Sequence, residues 1–93
     1  MTEDIHAQLA ECVGFGWDEE NAPKVRARHH VAPGECEQLF FDAPLLVWAD
    51  LRHSQSEARW RALGMTLDGR AIFLVFTLRG SKLRVLAARN MNR

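Results

Sequence analysis

The chain changes its hydrophobic period at Pro44, and that change constrains the fold more than any other feature. Before Pro44 the apolar residues recur three and four apart, as on the buried stripe of a helix. After it they alternate or run together over strand lengths. Leu45–Asp50 is the first clear strand, and Arg52–Glu57 follows as a polar loop. Ala58–Leu67 alternates, with Ala58, Trp60 and Ala62 on one face and Arg59 and Arg61 on the other. Asp68-Gly69 is the strongest hairpin signal in the chain. Ala71–Leu78 is almost continuously apolar, which predicts a central strand covered on both faces. Arg79-Gly80-Ser81 turns the chain into a last strand, Lys82–Arg89, and residues 90–93 read as a tail or the stub of a further helix.

The first half reads as helices. Thr2–Val13 forms one, with Ile5, Leu9, Cys12 and Val13 as its apolar stripe, and Gly14 and Gly16 break it. Phe15 and Trp17 are spaced for a short edge strand or an aromatic anchor. A second helix runs to about His30, with Asn21 preferred to Asp18 as its cap because Pro23 is tolerated only in a first turn. A third starts at Pro33 and buries Cys36, Leu39 and Phe40. Helices followed by an antiparallel meander predict an α+β domain whose N-terminal helices pack on the sheet. Its 93 residues suit a single domain, divided into a helix over 1–14, a short strand and two helices over 15–43, and strands over 44–89.

The net charge is zero, yet the charges are separated along the chain. Residues 1–50 hold ten acids and three bases, and residues 51–93 hold two acids and nine bases. Ten of the twelve bases are arginine, whose planar fork pairs bidentately with phosphate. Two outcomes are open: the halves neutralise each other in the fold, or the second half presents a basic surface around Arg79, Lys82 and Arg84. No apolar run approaches the ~20 residues of a membrane span, and the acidic N-terminus lacks the start of a signal peptide. The expectation is a cytoplasmic protein whose cysteines, Cys12 and Cys36, are free thiols rather than a disulfide. No CxxC, zinc spacing or glycine-rich phosphate loop is present, so neither metal nor cofactor is expected. Asp50 with His53 is at most half a metal site. Adjacent His29 and His30 point different ways on a helix and suit its C-terminal dipole.

If both turns hold two residues, Trp60 lies opposite Thr77, Thr77 opposite Arg84, and Arg79 opposite Lys82. One face near one end of the sheet then collects Trp60, Thr77, Arg79, Lys82 and Arg84, and the loop carrying His53 and Glu57 enters at the same end. That set fits phosphodiester cleavage without a metal, which needs a base for the 2′-hydroxyl, an acid for the leaving oxygen, and positive charge where the phosphorane develops. Either Glu57 or His53 could serve as base or as acid, and Arg79 and Arg84 are the candidate phosphate-holding groups. Arg28, Arg59, Lys82 and Arg89 are candidates for RNA contact. The bland alternative is a set of solvated strand ends with a surface Glu–Arg pair.

These residues also line up with a family. Phe15-Gly16-Trp17-Asp18-Glu19, Arg28-His29-x-Val31, Phe41-Asp42-Ala43-Pro44, His53-Ser54-x-x-Glu57-x-Arg59, Gly64, Gly69-Arg70, Thr77-x-Arg79-Gly80 and Arg84-x-x-x-Ala88-Arg89 together resemble the BrnT toxins of bacterial toxin–antitoxin pairs. The resemblance covers about residues 15–90. It implies a RelE-like fold, metal-independent RNA cleavage, neutralisation by a BrnA-like antitoxin, and a toxin–antitoxin hetero-oligomer that binds operator DNA through the antitoxin. The sequence departs from the family pattern in places. His30 stands where a glycine is usual, Asn21 where a lysine is common, Val25 where an asparagine is, and Pro33-Gly34 where a phenylalanine and an acid are. The basic helix with a glutamate and a tyrosine that usually follows the last strand has no counterpart before Arg93. Three functions compete: a ribonuclease toxin, a non-catalytic relative that binds only a partner, and a nucleic-acid-binding module. The first alone needs Glu57 and His53.

Overall fold

In the computed structural model, which describes residues 5–23, 30–41, 45–53 and 57–91, five strands form one sheet. They are β1 (Gly14–Phe15), β2 (Leu46–Ala49), β3 (Arg59–Met65), β4 (Ala71–Arg79) and β5 (Lys82–Asn90), and their spatial order is β1-β5-β4-β3-β2. The run from β2 to β5 is the expected antiparallel meander, with β4 at its centre. The edge is different. β1 pairs parallel to β5, with Gly14 beside Lys82 and Phe15 beside Leu83, so the sheet is mixed rather than purely antiparallel. The edge strand expected around Phe15 is present, and its two residues carry no sign of direction.

Helices cover one face. Helix α1 (Ile5–Ala10) contributes Ile5, and helix α2 (Pro33–Gln38) contributes Cys36, with Val31 and Leu39 flanking it. These pack on Ala62, Ile72, Leu74, Phe76, Leu83, Val85 and Ala88, the core-facing residues of the central strands. Phe40 meets Phe76 edge-on at 5.3 Å. Gly64 admits this packing, because a Cβ there would lie 2.9 Å from Cγ of Leu39. α1 is shorter than the apolar stripe suggests. Val13 lies beyond it, 77% exposed, and its N–H donates to the Ser81 carbonyl at 2.8 Å.

The helix that follows Trp17 is capped by Asp18 and not by Asn21. The Asp18 carboxylate accepts the N–H groups of Glu20 and Asn21 at 2.8 and 3.1 Å. Asn21 is buried and returns the favour, its Oδ1 accepting the Asp18 N–H while its amide donates to the carbonyls of Gly16 and Val85. Residues 21–23 are helical, and Lys24–His29 lie outside the described part. His30 has φ +54°, the left-handed region where the resemblance expects glycine. Its carbonyl accepts from Arg70, which also forks onto Glu35 at 2.8 and 2.9 Å.

The first hairpin departs from the expected register by one residue. Thr66 donates to the Arg70 carbonyl, and Gly69, at φ +80°, donates to that of Thr66, so the connection is Leu67-Asp68-Gly69. Such a three-residue loop ends on a left-handed glycine. Trp60 therefore lies opposite Phe76, and Arg59 opposite Thr77. At the second turn Arg79 is opposite Lys82 and Thr77 opposite Arg84, as expected, before a bulge shifts the ladder between Val75 and Phe76. β4 is central but not covered on both sides. Ile72, Leu74 and Phe76 are buried in the core, whereas Phe73 and Val75 on the other face are half-exposed.

Candidate active site

The register decides which side chains meet. Opposed residues share a face, so Arg59, Thr77 and Arg84 line up across β3, β4 and β5 on the face away from the core, with Arg79 and Lys82 one step further on. Trp60 does not join them. The one-residue change of register sends it to the core side, where it packs against the buried cluster.

Two ion pairs organise this end of the face. Glu57 and Arg79 form a bidentate pair, with Nε and Nη2 donating to the two carboxylate oxygens at 3.2 and 3.1 Å. The hydrogen bond from Arg79 holds the Glu57 carboxyl below its ordinary range, and the nearby charges of Arg59 and Arg84 lower it further. The same bond raises the proton affinity of Arg79. Arg84 is 8% exposed and grips Asp18 with both terminal nitrogens, at 2.7 and 3.2 Å, while Glu20 stands 3.4 Å away. Those donors, first Arg84 and then the N–H groups of Asn21 and Glu20, hold the Asp18 carboxyl far below the usual carboxylate range. Asp18 thus caps a helix and orients an arginine on β5. The sequence offered only the first role, because the second needs a contact between residues 66 apart.

The other expected residues fall as follows. His53 closes the single 3-10 turn Leu51–His53 that follows β2, and its side chain lies outside the described part, as does Arg28 entirely. Lys82 is exposed beside Arg79. Arg89 is on the same face but at the far end, opposite Phe73. The Thr77 hydroxyl is buried and donates to the Ala58 carbonyl at 2.7 Å, so it fixes the start of β3 rather than facing a substrate. Asp50 is buried and lies 3.4 Å from Nε of Arg61, which gives it a structural partner. Among the described residues no three His, Cys, Asp or Glu side chains converge as metal ligands. The basic surface expected around Arg79, Lys82 and Arg84 is partly neutralised, since Asp18, Glu35 and Asp50 from the acidic half pair with Arg84, Arg70 and Arg61. Cys12 and Cys36 are both free, and burial raises the Cys36 thiol to about 12.

The Glu57–Arg79 fork thus shares one face with Arg59, Lys82 and Arg84. The model of a known family, described as "Ribonuclease toxin, BrnT, of type II toxin-antitoxin system", matches residues 17–93. The chain belongs to the BrnT family. No match is found among curated proteins. The BrnT match begins at Trp17, so α1 and β1 precede it, while Asp18, Glu57, Arg79 and Arg84 all lie within it. A type II toxin family brings with it an antitoxin partner and an RNA target. Among the described residues no helix is long and apolar enough to cross a membrane.

Proposed function

We propose that the chain is a cytoplasmic, metal-independent ribonuclease of RelE-like architecture, neutralised by a BrnA-like antitoxin through which the pair binds operator DNA. The observation that carries the reading is the Glu57–Arg79 fork, set beside Arg59, Lys82 and Arg84 on one open sheet face. Glu57 enters as a carboxylate held by Arg79, able to accept a proton and not to donate one. Glu57 takes the proton of the ribose 2′-hydroxyl, and that oxygen attacks the adjacent phosphorus. His53 returns a proton to the departing 5′-oxygen. Arg79, Lys82 and Arg59 face the charge that builds on the phosphorane, and Arg84, fixed by Asp18, supports it from the strand behind.

One observation favours a second reading. Glu57 and Arg84 are already tied to partners, so a non-catalytic relative that keeps only a binding surface would look the same at rest. Cleavage of a labelled RNA by the purified chain, freed of antitoxin, separates the two. Activity that survives EDTA, with Glu57→Gln lowering the rate and leaving RNA affinity nearly unchanged, supports the ribonuclease. An inactive but folded wild type favours the binding-only relative, and activity abolished by EDTA contradicts the metal-free mechanism.

A further inference from the structure

β4 is apolar on both of its faces, yet the described helices bury their side chains against only one. On the other, Phe73 stands next to Trp48 of β2 with ring centroids 6.1 Å apart. The Arg89 and Arg61 guanidinium carbons lie 5.3 and 6.0 Å from the Phe73 centroid. Trp48 is 40% exposed. Four planar groups are thus gathered on an open sheet surface. Asp50, a carboxylate beside this part of the face, is buried and already held by Arg61. Phe73 is six residues along β4 from Arg79, roughly 20 Å from the Glu57–Arg79 end of the same face.

We propose that Trp48, Phe73, Arg61 and Arg89 form a base-stacking platform for single-stranded RNA, an extension of the ribonuclease site and resting on that reading. Aromatic faces and arginine planes stack on any nucleobase, and the positive charge follows the phosphates. A strand gripped at the Glu57–Arg79 end runs along the sheet and lays its flanking bases here. The platform therefore selects unpaired RNA, because paired bases offer no free face. Charge complementarity favours RNA over an apolar peptide, since arginines border the rings and the Asp50 carboxylate beside them is buried against Arg61.

The test uses the full chain and a fluorescent single-stranded oligonucleotide with uniform 2′-O-methyl ribose, which cannot be cleaved, beside an abasic strand of equal length and charge. The wild type binds the base-bearing strand more tightly. Trp48→Leu and Phe73→Leu each weaken that binding about fivefold or more and leave the abasic strand unaffected. Trp48 sits on an exposed edge strand, so its variant reports even if Phe73→Leu perturbs folding. Equal binding of the two strands by the wild type, or wild-type affinity in folded Trp48→Leu, overturns the platform. So does a variant that keeps RNA affinity and loses only inhibition by the antitoxin, which marks a protein-docking surface. Cleavage of an unmodified RNA is followed in parallel. Cleavage without base preference defeats the platform alone, and base preference without cleavage defeats the ribonuclease reading alone.

Discussion

The two faces of the sheet are made from alternate residues of the same three strands and have opposite characters. The covered face holds Ile72, Leu74, Phe76, Leu83 and Val85, sealed under α2 and the N-terminal segment. The open face holds Arg59, Arg61, Phe73, Thr77, Arg79, Arg84 and Arg89. Burial makes the first face intolerant and generic: any well-packed apolar set would serve it. Apart from buried Thr77 and the Arg84–Asp18 pair, the second gains little folding energy from its exposed ion pairs and has an arrangement that packing does not require. Function is therefore sought on the open face and stability on the covered one.

The largest effect expected on the covered face is Phe76→Ala, which should cost about 3–5 kcal/mol of stability in denaturant titration. Arg79→Ala should lower RNA cleavage about a hundredfold or more, with a nearly unchanged melting temperature, because its side chain is 54% exposed. A comparable loss of stability in Arg79→Ala would erase the contrast between the faces. Gly64→Ala should be destabilising by about 1–3 kcal/mol, since its Cβ would press on Leu39.

The strands, the central place of β4 and the second-turn pairs Thr77–Arg84 and Arg79–Lys82 were legible in the sequence. The first-turn register was not, because Asp68-Gly69 suits a two-residue turn as well as a three-residue loop ending on left-handed Gly69. That single residue moved Trp60 into the core and brought Arg59 onto the site face. The short edge strand at Phe15 was legible as one of two readings, and its parallel pairing to β5 was not, because two residues carry no sign of direction. The neutralisation of Arg84 by Asp18 was hidden by its span, for charge separation along a chain does not say which charges fold together.

Two smaller effects sharpen the comparison where the halves join. The Asp18 carboxyl is held low by Arg84, so the pair contributes stability above the ordinary aspartate pKa of about 3.9 and loses it as pH falls through that value toward the folded one. Asp18→Asn should therefore be less stable than wild type at pH 7, and the gap should narrow steadily as the pH of thermal melts is lowered below about 3.9. Equal acid sensitivity of the two would mean that the Arg84 fork contributes nothing. His30→Gly should have the smallest effect, a gain of about 1 kcal/mol or less, as relief of the left-handed strain is partly offset by glycine's greater freedom when unfolded.

The central claim is that the open face activates a ribose 2′-hydroxyl. The most direct measurement is single-turnover cleavage of an end-labelled RNA by the antitoxin-free chain in EDTA, with product masses determined, beside the same strand carrying one 2′-deoxyribose at the cut position. The prediction is a 2′,3′-cyclic phosphate on the upstream product and no cutting at the deoxy position. Cleavage that proceeds through the deoxyribose would contradict it.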